Sequence, residues 1–111
     1  MDKRFNRLYI LKIDNGQIPQ LKQLCEDYNI QDNGAFDNAA NFHRIWGINE
    51  NGLIYLSYGM AQRGFDFNSL KELEEYLDNF VIKCWLKIYF NKSVFVAIEY
   101  VKICINLLKL D

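Results

Sequence analysis

The chain has 111 residues, and half of them are hydrophobic, including eight Phe, seven Tyr and two Trp. This length and composition exclude an intrinsically disordered chain and are typical of one domain that buries its own core. A formal net charge of −1 excludes the strongly basic field of many nucleic-acid-binding domains.

The cysteine count and the hydropathy pattern indicate where the protein works. Three cysteines are an odd number, which argues against the disulfide framework of a secreted domain. The apolar run at residues 8–11 is too short for a signal peptide, and no apolar run approaches the roughly 20 residues of a membrane-spanning helix. We therefore expect a cytoplasmic protein with reduced thiols and no membrane partner.

The first part of the chain predicts a strand followed by a helix. Residues 5–13 are apolar at most positions of both alternating sets, which indicates a buried strand ending at Asn15-Gly16. Pro19 suits the first turn of a helix. Apolar residues then recur at helical spacing, and this helix should end near Asn29: Ile18, Leu21, Leu24, Cys25 and Tyr28. Residues 31–38 are expected to be loop.

The clearest local signal is a β-hairpin at about residues 42–60. Two apolar runs, 42–48 and 53–60, flank Asn49-Glu50-Asn51-Gly52, and Asn-Gly between apolar runs is a strong hairpin signal. A two-residue turn at Asn51-Gly52 predicts three cross-strand pairs: Ile48 with Tyr55, Trp46 with Ser57, and Arg44 with Gly59. A four-residue turn is the alternative. Residues 65–67 can add a short strand.

The last part of the chain predicts two helices. Ser69 and Glu72 fit a capping box, and a helix should run from there to about residue 90. Residues 93–109 carry polar side chains at helical spacing, although their β-branched content leaves a strand as the alternative. The expected fold is therefore a single α+β domain: a small antiparallel sheet of three to four strands packed by helices, with a C-terminal helical hairpin.

The sequence lacks a recognisable catalytic, metal or cofactor motif. His43 is the single histidine and stands far in sequence from Cys25, Cys84 and Cys104. A Cys–His pair for nucleophilic catalysis or a Cys3His zinc site would need these residues, but their spacing lacks the close pairs of structural zinc sites. No Gly-rich phosphate-binding loop occurs. We expect a protein that is not an enzyme and has no cofactor; a small enzyme using His43 or Cys25 is the third hypothesis.

Two surfaces are predicted to bind a partner. The first is one face of the hairpin, with Arg44, Trp46 and Tyr55 beside Phe42 and Ile48, because Trp, Tyr and Arg dominate interface hot spots. The alternative is that this face belongs to the core. The second is an acidic cluster on the 69–90 helix, which could dock on a basic surface or could be an ordinary solvated helix face: Glu72, Glu74, Glu75 and Asp78.

The C-terminal part suggests a different function. Lysines and aromatic residues alternate with apolar ones from residue 83 onward, which is compatible with nucleic-acid or membrane binding. Packing of the apolar helices against a second copy is the simpler account. A structural or regulatory homo-oligomer is therefore the alternative function, and a homodimer is compatible with either account.

Residues 46–52 (WGINENG), a tight hairpin, and residues 67–73 (FNSLKEL), a strand leading into a capped helix, carry a resemblance to known proteins. In these features the chain resembles the small single-domain proteins of phages and other mobile elements, including anti-CRISPR inhibitors. The resemblance covers about a quarter of the chain. It implies binding and blocking of a host protein or nucleoprotein complex in the host cytoplasm. We expect no direct contact with nucleic acid.

Overall fold

The structure, a computed structural model, describes residues 1–91, with side chains up to residue 83. In chain order the elements are β1 (Tyr9–Lys12), α1 (Ile18–Asp27), β2 (Ile45–Asn49), β3 (Gly52–Tyr55), a 3-10 helix (Tyr58–Arg63) and α2 (Leu70–Asn91). They form a small antiparallel sheet packed by helices, which confirms the predicted α+β fold. The predicted helix at 93–109, and with it the helical hairpin, lies outside the described residues.

The described strands form one sheet in the order β1-β2-β3, with both neighbouring pairs antiparallel. Leu11 on β1 lies opposite Trp46 on β2, which in turn lies opposite Tyr55 on β3. One face of the sheet packs with α1 and α2 around the core: Phe5, Leu11, Ile13, Ile18, Leu21, Leu24, Cys25, Ile30, Trp46, Ile48, Leu53, Phe67, Leu73 and Leu77. Aromatic and branched side chains of the predicted strands therefore hold the sheet against the two helices.

The predicted fourth strand at residues 65–67 is reduced to a single parallel bridge between Phe67 and Leu11. The Lys12 N–H donates to the Phe67 carbonyl at 2.9 Å, and the Phe67 N–H donates to the Ile10 carbonyl at 3.1 Å. The Asp66 carboxylate accepts from the Ile10 N–H at 2.7 Å. The outer edge of β1 is therefore covered by this short segment.

The hairpin is present, but its predicted pairing is wrong by two residues. Ile48 pairs with Leu53 and Trp46 pairs with Tyr55, so Glu50 and Asn51 form the turn. Both of these residues keep negative φ, and Gly52 alone takes a positive φ of 115°. The turn therefore lies at Glu50-Asn51, one residue before the predicted Asn51-Gly52, and the positive φ falls on the glycine that follows it. Because the error is an even number of residues, the side chains keep their predicted faces.

Helix α1 ends close to the predicted residue, and its C-terminus has a clear physical cause. Asn29 adopts φ 53°, the left-handed conformation that Asn tolerates better than most residues. The Asn29 N–H then donates to the Glu26 carbonyl at 3.3 Å, and the Ile30 N–H donates to the Cys25 carbonyl at 2.8 Å. These two bonds are those of a Schellman motif. The chain thereby leaves α1 and enters the loop that leads to β2.

Helix α2 begins with a capping arrangement close to the predicted one. The Glu72 N–H donates to Ser69 Oγ at 3.2 Å, as a capping box requires. The Glu72 carboxylate accepts from the N–H of Asn68 at 3.0 Å instead of from the N–H of Ser69. Leu73 and Leu77, one turn apart on the inner face of α2, are fully buried in the core.

Candidate protein-binding surface

Three exposed aromatic side chains gather where the hairpin meets the 3-10 helix. Phe42 is 63% exposed, Tyr58 is 51% exposed and Tyr55 is 47% exposed. The Tyr58 hydroxyl donates to the Phe42 carbonyl at 3.4 Å, which links the segments before and after the hairpin. We call Phe42, Tyr55 and Tyr58 the aromatic patch. Clustered exposed aromatic rings of this kind are typical of interaction sites.

His43 is the buried support beneath the aromatic patch. Its ring stacks on Tyr55 with centroids 3.9 Å apart and meets Tyr58 edge-on at 5.3 Å. Its Nε2 lies 2.6 Å from the Ile45 carbonyl, so Nε2 carries the proton and donates to that oxygen. The histidine that the enzyme hypothesis invoked thus has a structural task, because it holds two rings of the patch in place.

Trp46 lies in the core and has no exposed area. Its Nε1 donates to the His43 carbonyl at 3.3 Å, and its ring packs against Phe36 at a centroid distance of 5.1 Å. The expectation that Trp46 contacts a partner therefore has to be corrected: its large apolar ring is used to fill the space between sheet and loop. Ile48 is likewise fully buried.

Arg44 is half-buried and turned away from the aromatic patch. Its Nε donates to the Ile13 carbonyl at 3.2 Å. Ile13 directly follows β1, which flanks β2 on the side opposite to β3. The structure therefore separates Arg44 from Tyr55, although both belong to the hairpin face predicted from the sequence.

The four side chains of the acidic cluster differ in their contacts, although only Asp78 is partly buried. Glu72 caps its own helix, and the Asp78 carboxylate accepts a hydrogen bond from the Tyr28 hydroxyl. Glu74 and Glu75 are exposed. Among the described side chains, the ion pairs are Arg4–Asp2 and Arg7–Asp66, so neither exposed glutamate has a cationic partner there. Glu74 and Glu75 are the exposed members of this cluster that are used neither in the cap nor in the bond to Tyr28, and a basic partner could reach them.

The Tyr28 hydroxyl lies among the negative charges at the α1–α2 contact. Burial raises the pKa of Tyr28 first, and its hydrogen bond to Asp78 raises it further. The charges of Asp78, Glu74 and Asp27 act in the same direction. The acidic side chains of α1 and α2 therefore share one electrostatic environment around this hydroxyl.

Cys25 is buried in the core, and burial raises the pKa of its thiol to about 12. A thiol with this pKa is protonated at neutral pH, whereas nucleophilic attack and metal binding need the thiolate. Among the described side chains, no group of three or more His, Cys, Asp and Glu is placed to hold a metal ion. Cys25 therefore acts as a small apolar filler of the core.

We expect the free energy of unfolding to fall as the pH rises above 9, the ordinary pKa of a cysteine thiol. Between pH 9 and 12 the unfolded chain loses the Cys25 proton while the folded chain keeps it, so alkali favours unfolding by at most about 1.4 kcal/mol per pH unit. Urea denaturation from pH 8 to pH 10 should show a shallower decline for Cys25→Ala. An unchanged slope in that variant would contradict this assignment.

The sequence interpretation missed Tyr58 as a member of the aromatic patch. It placed residues 53–60 in one strand, which put Tyr58 on the opposite face from Tyr55. In the structure β3 ends at Tyr55 and the chain turns into the 3-10 helix at Tyr58. This turn carries the Tyr58 ring back to His43. The Gly59 that follows it was the available signal, since glycine in an apolar strand pattern often marks a break.

Comparison with known proteins gives no matching family model, curated protein or solved structure. Among the described residues, no helix combines the length and the apolar character needed to cross a membrane.

Proposed function

We propose that the protein is a non-enzymatic binding module whose aromatic patch docks on a host protein or nucleoprotein complex and blocks it. The observation that carries this proposal is the exposure of Phe42, Tyr55 and Tyr58, with the rings of Tyr55 and Tyr58 on His43 and the Phe42 backbone bonded to Tyr58. Large apolar rings are normally buried, and three that share one exposed surface favour an interface over chance exposure. The inhibitory role rests on the resemblance of residues 46–52 and 67–73 to small phage and mobile-element proteins.

The support beneath the patch strengthens the proposal. Tyr55 and Tyr58 are held by contacts with His43, whose own ring is fixed by the Ile45 carbonyl. Side chains that are already ordered lose less conformational entropy on binding. Burial of these rings against a partner should therefore contribute more of its free energy to binding, as it does for hot-spot residues.

The test is recovery of a partner from cells of the natural host with the tagged full chain. Phe42→Ala and Tyr58→Ala should each weaken capture of one stoichiometric partner by about tenfold or more, the usual effect of removing a hot-spot aromatic. Ile82→Ala is the matched control, because Ile82 is also 51% exposed but lies on α2, away from the patch. The Ile82→Ala variant should capture as much of the partner as the unmodified chain does.

Two other outcomes would contradict this account. Loss of the partner in a Glu74→Lys, Glu75→Lys double variant, with Phe42→Ala and Tyr58→Ala unaffected, would move the interface to the acidic face of α2. Recovery of the protein only with itself, as a defined oligomer, would favour the homo-oligomer function instead. Thermal unfolding of every variant would show whether a loss of capture comes from a loss of fold.

A further inference from the structure

The described aromatic rings differ in whether a cation lies over them. Five rings have a Lys or Arg side chain at 3.9 to 5.8 Å from the centroid: Phe5, Tyr9, Phe36, Phe65 and Phe80. Among the described side chains, none of these cations lies over Phe42, Tyr55 or Tyr58. The aromatic patch therefore consists of exposed rings whose faces are not used by a cation of the described chain.

An aromatic ring face is negative and attracts a cation within about 6 Å of the centroid. The nearest cation in sequence, Arg44, is held away from the patch by its bond to the Ile13 carbonyl. His43 covers one face of Tyr55 and donates its Nε2 proton to Ile45, which leaves the outer ring faces to solvent. The patch thus offers negative ring faces without a competing cation among the described side chains.

We propose that the aromatic patch binds a basic protein segment by placing an arginine or lysine side chain against its rings. This inference rests on the proposed function and specifies its partner chemistry. The exposed Glu74 and Glu75 carboxylates on α2 add a negative charge that favours the approach of a basic partner. A single strand of nucleic acid could stack on the same rings, but its phosphates need basic side chains, and the chain carries a net charge of −1.

The experiment is an NMR titration of the full chain with two synthetic peptides, one of alternating glycine and arginine and one with citrulline in place of arginine. Citrulline keeps the shape and hydrogen-bonding groups of arginine but lacks its charge. We expect the arginine peptide to shift the ring protons of Phe42, Tyr55 and Tyr58, and to bind at least about threefold more tightly than the citrulline peptide.

A matched pair of variants separates the cation contact from non-specific apolar binding. Tyr58→Phe keeps a ring and should retain the preference for arginine, whereas Tyr58→Leu keeps apolar area without a ring and should lose about threefold in affinity. Ring-proton shifts of Tyr9, which already carries Arg7 at 3.9 Å, should stay unchanged in each titration. Both variants can be checked for folding by their amide spectra.

Three results would overturn the inference. Equal binding of the arginine and citrulline peptides would show that charge is irrelevant. Shifts confined to Glu74 and Glu75 would place the basic segment on α2. Tighter binding of an oligothymidine than of the arginine peptide at the same rings would make nucleic acid the occupant. If the arginine preference fails while Tyr58→Ala still loses a host partner, the docking surface stands and only its proposed cation recognition is wrong.

Discussion

Replacing Gly52 by alanine is expected to destabilise the fold by about 3 kcal/mol, a large effect for a single methyl group. Gly52 has φ 115°, which L-residues with a side chain rarely adopt. An added Cβ would also fall far inside van der Waals contact with the Gln31 carbonyl oxygen. That carbonyl accepts from the Leu53 N–H at 2.7 Å, so it cannot withdraw without breaking a bond to β3. Urea denaturation measures the change.

Gly16→Ala is the control that separates the cost of the positive φ from the cost of the clash with Gln31. Gly16 also has a positive φ, 82°, but an added Cβ there would meet nothing within 4 Å. Its cost should be only that of the strained backbone, about 1 kcal/mol. Equal losses of stability in the two variants would contradict the close approach of Gln31 to the hairpin.

Replacing Arg4 by alanine is expected to cost about 3 kcal/mol, the usual penalty for removing one partner of a buried ion pair. The Arg4 side chain is 6% exposed, and its guanidinium forms a two-pronged contact with Asp2, at 2.8 and 2.6 Å. It also donates to the carbonyls of Tyr28 at 2.6 Å and Asn29 at 3.1 Å, directly after α1. Removing it leaves these acceptors without their donor and frees the N-terminal segment from α1.

Two further variants test whether the geometry of Arg4 matters. Arg4→Lys keeps the charge but cannot reproduce the planar fork, so it should recover only part of the stability. Arg7→Ala removes an exposed ion pair, Arg7–Asp66, and should have a much smaller effect that disappears at high salt. Similar losses for Arg4→Ala and Arg7→Ala in chemical denaturation would contradict the structural role of Arg4.

Local chemistry was sufficient to predict most of the fold. The apolar spacing of α1, the Ser69 cap of α2 and the turn at residues 49–52 each arise from interactions between residues close in sequence. The exact hairpin register was not predictable in this way. It depends on Gly52 taking the positive φ, and Gly52 does so where the distant Gln31 backbone comes close. Register was therefore set partly by a contact between residues about twenty positions apart in the chain.

The candidate surface was predictable only in part. Residue type pointed to both Tyr55 and Trp46, which lie opposite each other on neighbouring strands, but it could not show that only Tyr55 is exposed. The loop at residues 31–40 decides the difference, because Phe36 packs on Trp46 while Tyr55 remains open to solvent. Similarly, the roles of Glu72 and Asp78 depend on Asn68 and Tyr28, and the latter is distant in sequence.

The structure gives the proposed binding module a simple organisation. The core and the Arg4 network hold the sheet against α1 and α2. The buried His43 ring packs against the exposed rings of Tyr55 and Tyr58 and holds them in place. Residues that maintain the fold, such as Arg4 and Gly52, are therefore distinct from those proposed to contact a partner.

The most direct test of the central claim is site-specific photo-crosslinking in cells of the natural host. A benzophenone amino acid would replace Tyr58 in one variant and Ile82 in another, since both side chains are 51% exposed. The account predicts one defined covalent adduct with a host protein from position 58 and none from position 82. Adducts from position 82 alone, or no adduct from position 58 in a correctly folded protein, would contradict docking through the aromatic patch.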